Sequence, residues 1–156
     1  MTESLSNNLK EDNKEPSVQN ESAEPNLENL ISIILGKSED TPDGFKQFIT
    51  VSFEGKVISL PKTALIINKE EDPKQIPTYF PPSTEKERRY INHNQAYWDF
   101  IELLPGTHRQ KGLGKAIYQK VANELNLEIV RGDTAWSASA NGLWKKLGEK
   151  VIPRKS

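Results

Sequence analysis

The 156-residue chain contains no cysteine, which excludes a disulfide framework and any thiol chemistry. It has only two histidines, His93 and His108, and two separated histidines do not suggest a metal site. No apolar run is long enough to span a bilayer, so no membrane partner is expected. The opening residues have no apolar core, unlike a secretory signal. They are also acidic and free of arginine, unlike a transit peptide. A cytoplasmic location is the simplest expectation. Hydrophobic residues make up 35% of the chain and the mean hydropathy is −0.68, low for a fully globular protein.

The deficit is not spread evenly. Residues 1–40 carry three Lys/Arg against nine Asp/Glu, which leaves 18 against 13 for the remainder. The net charge of −1 therefore conceals an acidic N-terminal segment and a mildly basic domain. Residues 1–25 are rich in Glu, Asn and Ser and contain no aromatic residue. Such a segment buries too little apolar surface to offset the entropy of ordering, so it is expected to be a disordered tail. Three parts follow: the tail (1–25), an amphipathic helix with a linker (26–40), and one domain (41–156). Basic spots at Arg88-Arg89, His108-Arg109 and Lys145-Lys146 are scattered, and a solvated face accounts for them better than nucleic-acid binding.

Hydrophobic spacing predicts the elements. Leu27, Leu30, Ile31, Ile34 and Leu35 form a helical stripe over residues 26–37, with Asn26 as cap and Gly36 at the end. That helix either packs on the domain or docks a partner protein. Residues 48–53 and 56–60 alternate around Glu54-Gly55, which predicts a hairpin. Residues 63–68 read as a buried third strand. Residues 69–89 hold four prolines and many charges and read as a long surface loop. A strand starts near residues 89–94, and a strand over residues 96–104 ends at Pro105-Gly106. Leu113, Ile117, Val121 and Leu125 recur at intervals of four and mark a helix. A strand at residues 127–131 and a helix at 137–147, ended by Gly148, complete a mixed α/β order.

The segment with the most chemical content is Arg109-Gln110-Lys111-Gly112-Leu113-Gly114-Lys115, between a strand and a helix. Glycines let the backbone approach a ligand, and the helix behind them presents unpaired N–H groups suited to a phosphate or pyrophosphate. It is not a Walker A loop, because Ala116 follows Gly114-Lys115 and Arg109 stands where the first glycine belongs. A dinucleotide fingerprint needs a third glycine where this chain has Ile117.

Arg109-x-x-Gly112-x-Gly114 resembles the acyl-coenzyme A loop of the GNAT acetyltransferase superfamily. Downstream, Ser137-x-x-Ala140-x-x-Leu143-Trp144-x-Lys146-Leu147-Gly148 is similar to a second segment of that family. The resemblance covers about residues 98–148, the cofactor half of such a domain. It implies a mixed sheet of the acyl-CoA N-acyltransferase type, with a reduced N-terminal half and a shortened C-terminus. It also implies acetyl-CoA as cosubstrate and an amine acceptor, a small molecule or a protein. By this resemblance Gln110, Lys111, Gly112, Leu113, Gly114 and Lys115 cradle the pyrophosphate with Arg109 nearby. Ser137 sits at a cofactor-contacting position, and the pantetheine arm pairs with backbone around Leu103 and Leu104. The strand before the loop splays from its parallel neighbour, and the thioester lies in the gap. The amine attacks directly after a base takes its proton. Glu102 and Asp99 are the candidate bases on that strand. Glu102 is the first choice because Trp98, Phe100 and Leu104 are expected to surround it with apolar groups.

Several positions depart from the family pattern. Trp144 stands where many members have a tyrosine that protonates the leaving thiolate, and indole has no proton acidic enough to transfer. Tyr118 is an alternative donor. Ser137 replaces an asparagine, and Glu149 an aromatic residue. The helix pair usual between the first two strands is missing, and only residues 149–156 follow the last helix. So trimmed a domain calls for a second copy, or a protein partner, to complete its acceptor pocket. Three classes stay open: an N-acetyltransferase, a non-catalytic acyl-CoA-binding domain, and a partner-docking protein with a structural loop.

Overall fold

A computed structural model describes residues 26–77, 88–107, 111–132 and 138–154. The acidic tail, His108, Arg109, Gln110 and Ser137 lie outside the described residues. The described chain is α/β, with three helices and a mixed seven-stranded sheet.

The chain enters through α1 (Leu27–Leu30), with the Asn26 side chain accepting from the Glu28 amide at 3.0 Å. The helix predicted through residue 37 stops after this single turn. Ile31 is already extended, and β1 (Ile31–Thr41) runs from it. The cause is the cluster Ile31-Ser32-Ile33-Ile34, whose β-branched side chains suit a pleated surface. Strand periodicity puts Ile31, Ile33 and Leu35 on one face, where Ile31 is buried and Ile33 packs against the core. Gly36 is therefore no helix terminus. It lies where the ladder to the next strand slips, between Leu35 and Ser38, and its carbonyl accepts from Gln47 Nε2 at 3.0 Å.

A turn at Pro42-Asp43 leads into β2 (Gly44–Phe53), antiparallel to β1. The Thr41 hydroxyl closes this turn, donating to the Gly44 carbonyl at 2.8 Å and accepting from the Asp43 amide at 3.2 Å. The predicted hairpin follows, with Glu54 (φ 52°) and Gly55 (φ 80°) at its tip and β3 (Lys56–Val57) as its short return. The third strand, β4 (Ala64–Asn68), is buried along its whole length, as the apolar run of its first four residues requires at the centre of a sheet.

The stretch expected to be a surface loop is partly structural. It contributes β5 (Lys74–Gln75), which pairs with β6 (Tyr90–Ile91) in a separate two-stranded ribbon. Ile76 and Ile91 pack with Ile66 and Tyr97 in a second apolar cluster. Buried Asn68 fastens this ribbon to the sheet, donating to the carbonyls of Asp72 (2.8 Å) and Ile91 (2.9 Å).

β7 (Gln95–Phe100) is antiparallel to β4 and parallel to β8 (Glu128–Val130), with α2 (Leu113–Leu125) as the crossover. α3 (Ala138–Leu147) and β9 (Lys150–Val151) follow, and β9 is antiparallel to β8. The sheet order is β1-β2-β4-β7-β8-β9, with β3 beside the end of β2. The main core lies between this sheet and α2, where Leu113, Ile117, Val121 and Ala122 meet Val51, Leu65, Trp98 and Ile129. Among the described residues no helix is long and apolar enough to cross a membrane.

Candidate functional site

Three backbone features flank the crossover from β7 to α2. The first is the parallel pair. Its ladder consists of Gln95 with Glu128 and Ala96 with Ile129. Beyond that, β7 continues along β4, while Ile129 and Val130 pair with β9 and the Arg131 amide donates to the Glu149 carbonyl at 3.0 Å. Gly132 then lies against the Tyr97 ring, so close that an added Cβ would come within 3.1 Å of it. The chain leaving β8 thus rides over Tyr97 instead of extending the parallel ladder.

The second piece is an irregularity in β7. Ala64 faces Phe100 while Leu65 faces Trp98, so Asp99 is an extra residue bulged out of the ladder. After the bulge, among the described residues, the chain is held from the β4 side: the Leu60 amide donates to the Glu102 carbonyl (3.0 Å) and the Leu104 amide to the Ile58 carbonyl (2.7 Å). Backbone groups of an extended chain alternate in direction. The peptide groups of Ile101 and Leu103 therefore turn the other way, toward the side from which β8 has departed. Of the two predicted pairing residues, Leu103 presents its backbone there, and the Leu104 amide is already engaged.

The third piece is the start of α2. Gly112 caps it in the left-handed region (φ 85°, ψ 1°), which glycine alone adopts without a steric penalty. Gly112 has no side chain to cap the helix, so among the described residues no cap competes with a ligand for its first-turn N–H groups. Leu113 is buried and pins the helix start to the core. Lys111 and Lys115 are exposed beside it. Gly114 faces Leu143 of α3, and a Cβ there would lie 3.4 Å from its Cδ2, about an ordinary contact distance.

The two carboxylate candidates differ in their surroundings. Asp99 is ion-paired with Lys46, its Oδ2 lying 3.2 Å from Nζ. Glu102 is exposed, not enclosed by Trp98, Phe100 and Leu104 as its sequence neighbours suggest. Lys46 is a partner that sequence reasoning missed. It comes from β2, distant in sequence, and no local signal announces it.

Behind the loop lies an aromatic stack. Tyr118 sits between Trp98 and Trp144, with ring centroids 5.3 and 5.6 Å away. Burial pushes the Tyr118 phenol up to about 12, and burial with the nearby Asp43 and Asp99 charges raises Tyr97 still further. Both phenols are therefore protonated at neutral pH. A native pKa above the unfolded value of about 10 contributes stability that is complete below pH 10 and lost as pH rises through the native value. Between pH 10 and 12, Tyr118 alone is expected to remove about 2–3 kcal/mol. Urea midpoints at pH 8 and 11 should fall less for Tyr118→Phe than for the parent. Equal falls in the two proteins would refute this linkage.

A separate concavity lies elsewhere. About 860 Å³ in volume, it is lined by His93, Asn94, Gln95, Asn126, Glu128 and Arg154, among others, at the opposite end of β7 and α2. Its walls are tied together: Gln95 Nε2 donates to Glu128 (2.9 Å), and Arg154 makes two bonds to Glu28 (2.8 and 2.9 Å). His93, at its rim, is exposed and lies 3.2 Å from the Glu70 carbonyl. Among the described residues no group of three His, Asp or Glu side chains could hold a metal ion.

No protein-family model matches this chain, and no curated protein or solved structure shows significant similarity to it.

Proposed function

We propose that the chain binds acetyl-CoA across the open edge of β7 and the start of α2, and transfers the acetyl group to an amine. One observation carries the reading: a parallel strand pair parts beside a helix whose N-terminus is opened by a left-handed glycine. A pyrophosphate suits the uncapped amides of α2, with charge from Lys111 and Lys115 and, by sequence, Arg109. An amide-bearing arm suits the outward peptide groups of Ile101 and Leu103, which can pair with it as an added strand does. This is the sequence resemblance to the GNAT superfamily, extended by a topology that is compatible with the acyl-CoA N-acyltransferase fold.

In the proposed reaction an unprotonated amine attacks the thioester carbonyl carbon. A C–N bond forms and the C–S bond breaks. The amine's proton leaves to a carboxylate, and the thiolate is released. Glu102, in contact with solvent, takes that proton through water. Asp99, held by Lys46, is the second candidate. The ion pair with Lys46 already engages the Asp99 carboxylate, which favours Glu102. The acceptor is an amine, on a small molecule or a protein.

Burial of Trp144 and Tyr118 supports a second reading. With an indole at the family's proton-donor position and the nearest phenol in the core, the domain binds acyl-CoA without transferring it. Calorimetric titration with acetyl-CoA tests the shared premise. Saturable binding with Kd at or below about 100 µM is expected, and no heat of binding up to about 1 mM would overturn both readings. Incubation with an amine panel then separates them: acetylated product favours catalysis, and binding without product favours the silent domain.

A further inference from the structure

The strand β1 closes one edge of the sheet, and its outer side is unusually apolar for such a position. Ile34 is 56% exposed and Leu35 51%, next to the half-buried Ile33. Edge strands are ordinarily blunted by charge, proline or a bulge, since open backbone groups recruit other strands. β1 has those protections only in its second half, where the slip at residues 35–38 is followed by Glu39 and Asp40. Its first half, residues 31–35, pairs regularly with β2.

The phase of that pairing tells which groups point outward. The Glu54 amide donates to the Leu30 carbonyl at 2.8 Å, so Leu30 and, by alternation, Ser32 and Ile34 bond inward to β2. The N–H and C=O groups of Ile31, Ile33 and Leu35 accordingly face away from the sheet. Ile33-Ile34-Leu35 reads alike in both directions, as apolar, apolar, apolar. An antiparallel two-fold pair centred on Ile34 sets Ile33 opposite Leu35 of the partner copy. Both residues have outward peptide groups, so the two strands exchange four main-chain hydrogen bonds. Ile34 meets its own symmetry mate in the close, non-hydrogen-bonded position, where side chains touch best.

We propose that β1 is a homodimer interface, formed by antiparallel pairing of two copies about Ile34 into one continuous sheet. By sequence, the stretches outside the described residues lack an apolar triplet to match this one. Residues 1–25 and 78–87 contain no run of three apolar residues, and the latter includes Pro81-Pro82. The opposite edge, β9, spans two residues and is followed by Pro153, so the assembly closes at two copies and does not propagate. The proposal is independent of the acetyl-CoA reading.

Sedimentation equilibrium of the full chain provides the test. A species near twice the 17.7 kDa chain mass is expected at micromolar concentration. Ile34→Lys should raise the dimer dissociation constant at least about thirtyfold, because two ammonium groups meet on the axis. Its circular dichroism should be unchanged, as the side chain is exposed in the single copy. Leu35→Pro is the second variant. It deletes an outward donor while leaving the inward ladder to β2 intact, and should also give monomers. A monomeric parent at about 100 µM, an open-ended series of larger species, or a dimer that survives both substitutions overturns the proposal. The first of these results would leave the edge for a different protein.

Discussion

Replacing Trp144 by alanine is expected to lower the unfolding free energy by about 3–5 kcal/mol, the range for truncating a buried tryptophan. The side chain is 2% exposed and is the one fully buried anchor among the described side chains of α3, whose Leu143 and Leu147 are only partly buried. Its ring closes the stack that runs through Tyr118 to Trp98, so removal loses both transfer free energy and an aromatic contact. In a domain of this size that is a fall in Tm of about 10 °C or more. Trp144→Phe keeps most of the ring and should cost clearly less. A Leu143→Ala change has a different signature: it loosens the approach of α3 to Gly114 while leaving the stack in place. Thermal and urea unfolding of the three variants should rank them Trp144→Ala, then Leu143→Ala, then Trp144→Phe. A loss below about 1 kcal/mol for Trp144→Ala would mean that α3 does not rest on this core.

That stack illustrates which parts of the fold were legible in the sequence. The helix at residues 113–125, the Glu54-Gly55 hairpin and the apolar strand at 64–68 each follow from local spacing, and the structure contains all three. A helix is expected where β1 runs because Leu27, Leu30, Ile31, Ile34 and Leu35 satisfy helical spacing, whereas the deciding partner, β2, lies beyond a turn. The turn itself is legible: Pro42-Asp43-Gly44 is a strong reversal signal, and it implies a long hairpin around it. Ile76, at 1% exposure, lay hidden among prolines and charges because one buried residue has no periodicity.

The candidate site divides along the same line. Gly112 and the uncapped helix start were readable from the loop and its flanks, since both depend on contiguous residues. The bulge at Asp99 and its Lys46 partner depend on how β7 registers with β4 and β2, which a single sequence does not record. The bracket of Ile58 and Leu60 on residues 102–104 is of the same kind. It shows that Leu104 is committed inward, and so narrows the outward edge to Ile101 and Leu103.

Gly112→Glu should abolish acetyl-CoA binding, raising Kd by at least about a hundredfold, and the reasons are separable. The position has φ 85°, where a side chain costs about 1–2 kcal/mol in local strain. The nearest atom to an added Cβ is Leu27 Cδ1 at 4.0 Å, so no clash with the core accompanies the substitution and the fold should survive. On the proposed reading, the introduced carboxylate would occupy the anion site at the α2 N-terminus. There it competes with the pyrophosphate for the same amides and repels its charge. Gly112→Ala isolates the strain, having neither bulk nor charge, and should weaken binding much less than Gly112→Glu. Raised salt should partly relieve the repulsive share of the glutamate effect and leave the steric share unchanged. Calorimetry on the three proteins, with circular dichroism as the check on folding, reads these contributions apart. Equal affinity in parent and glutamate variant would place any bound acetyl-CoA away from α2 and end the case for this loop as its cradle.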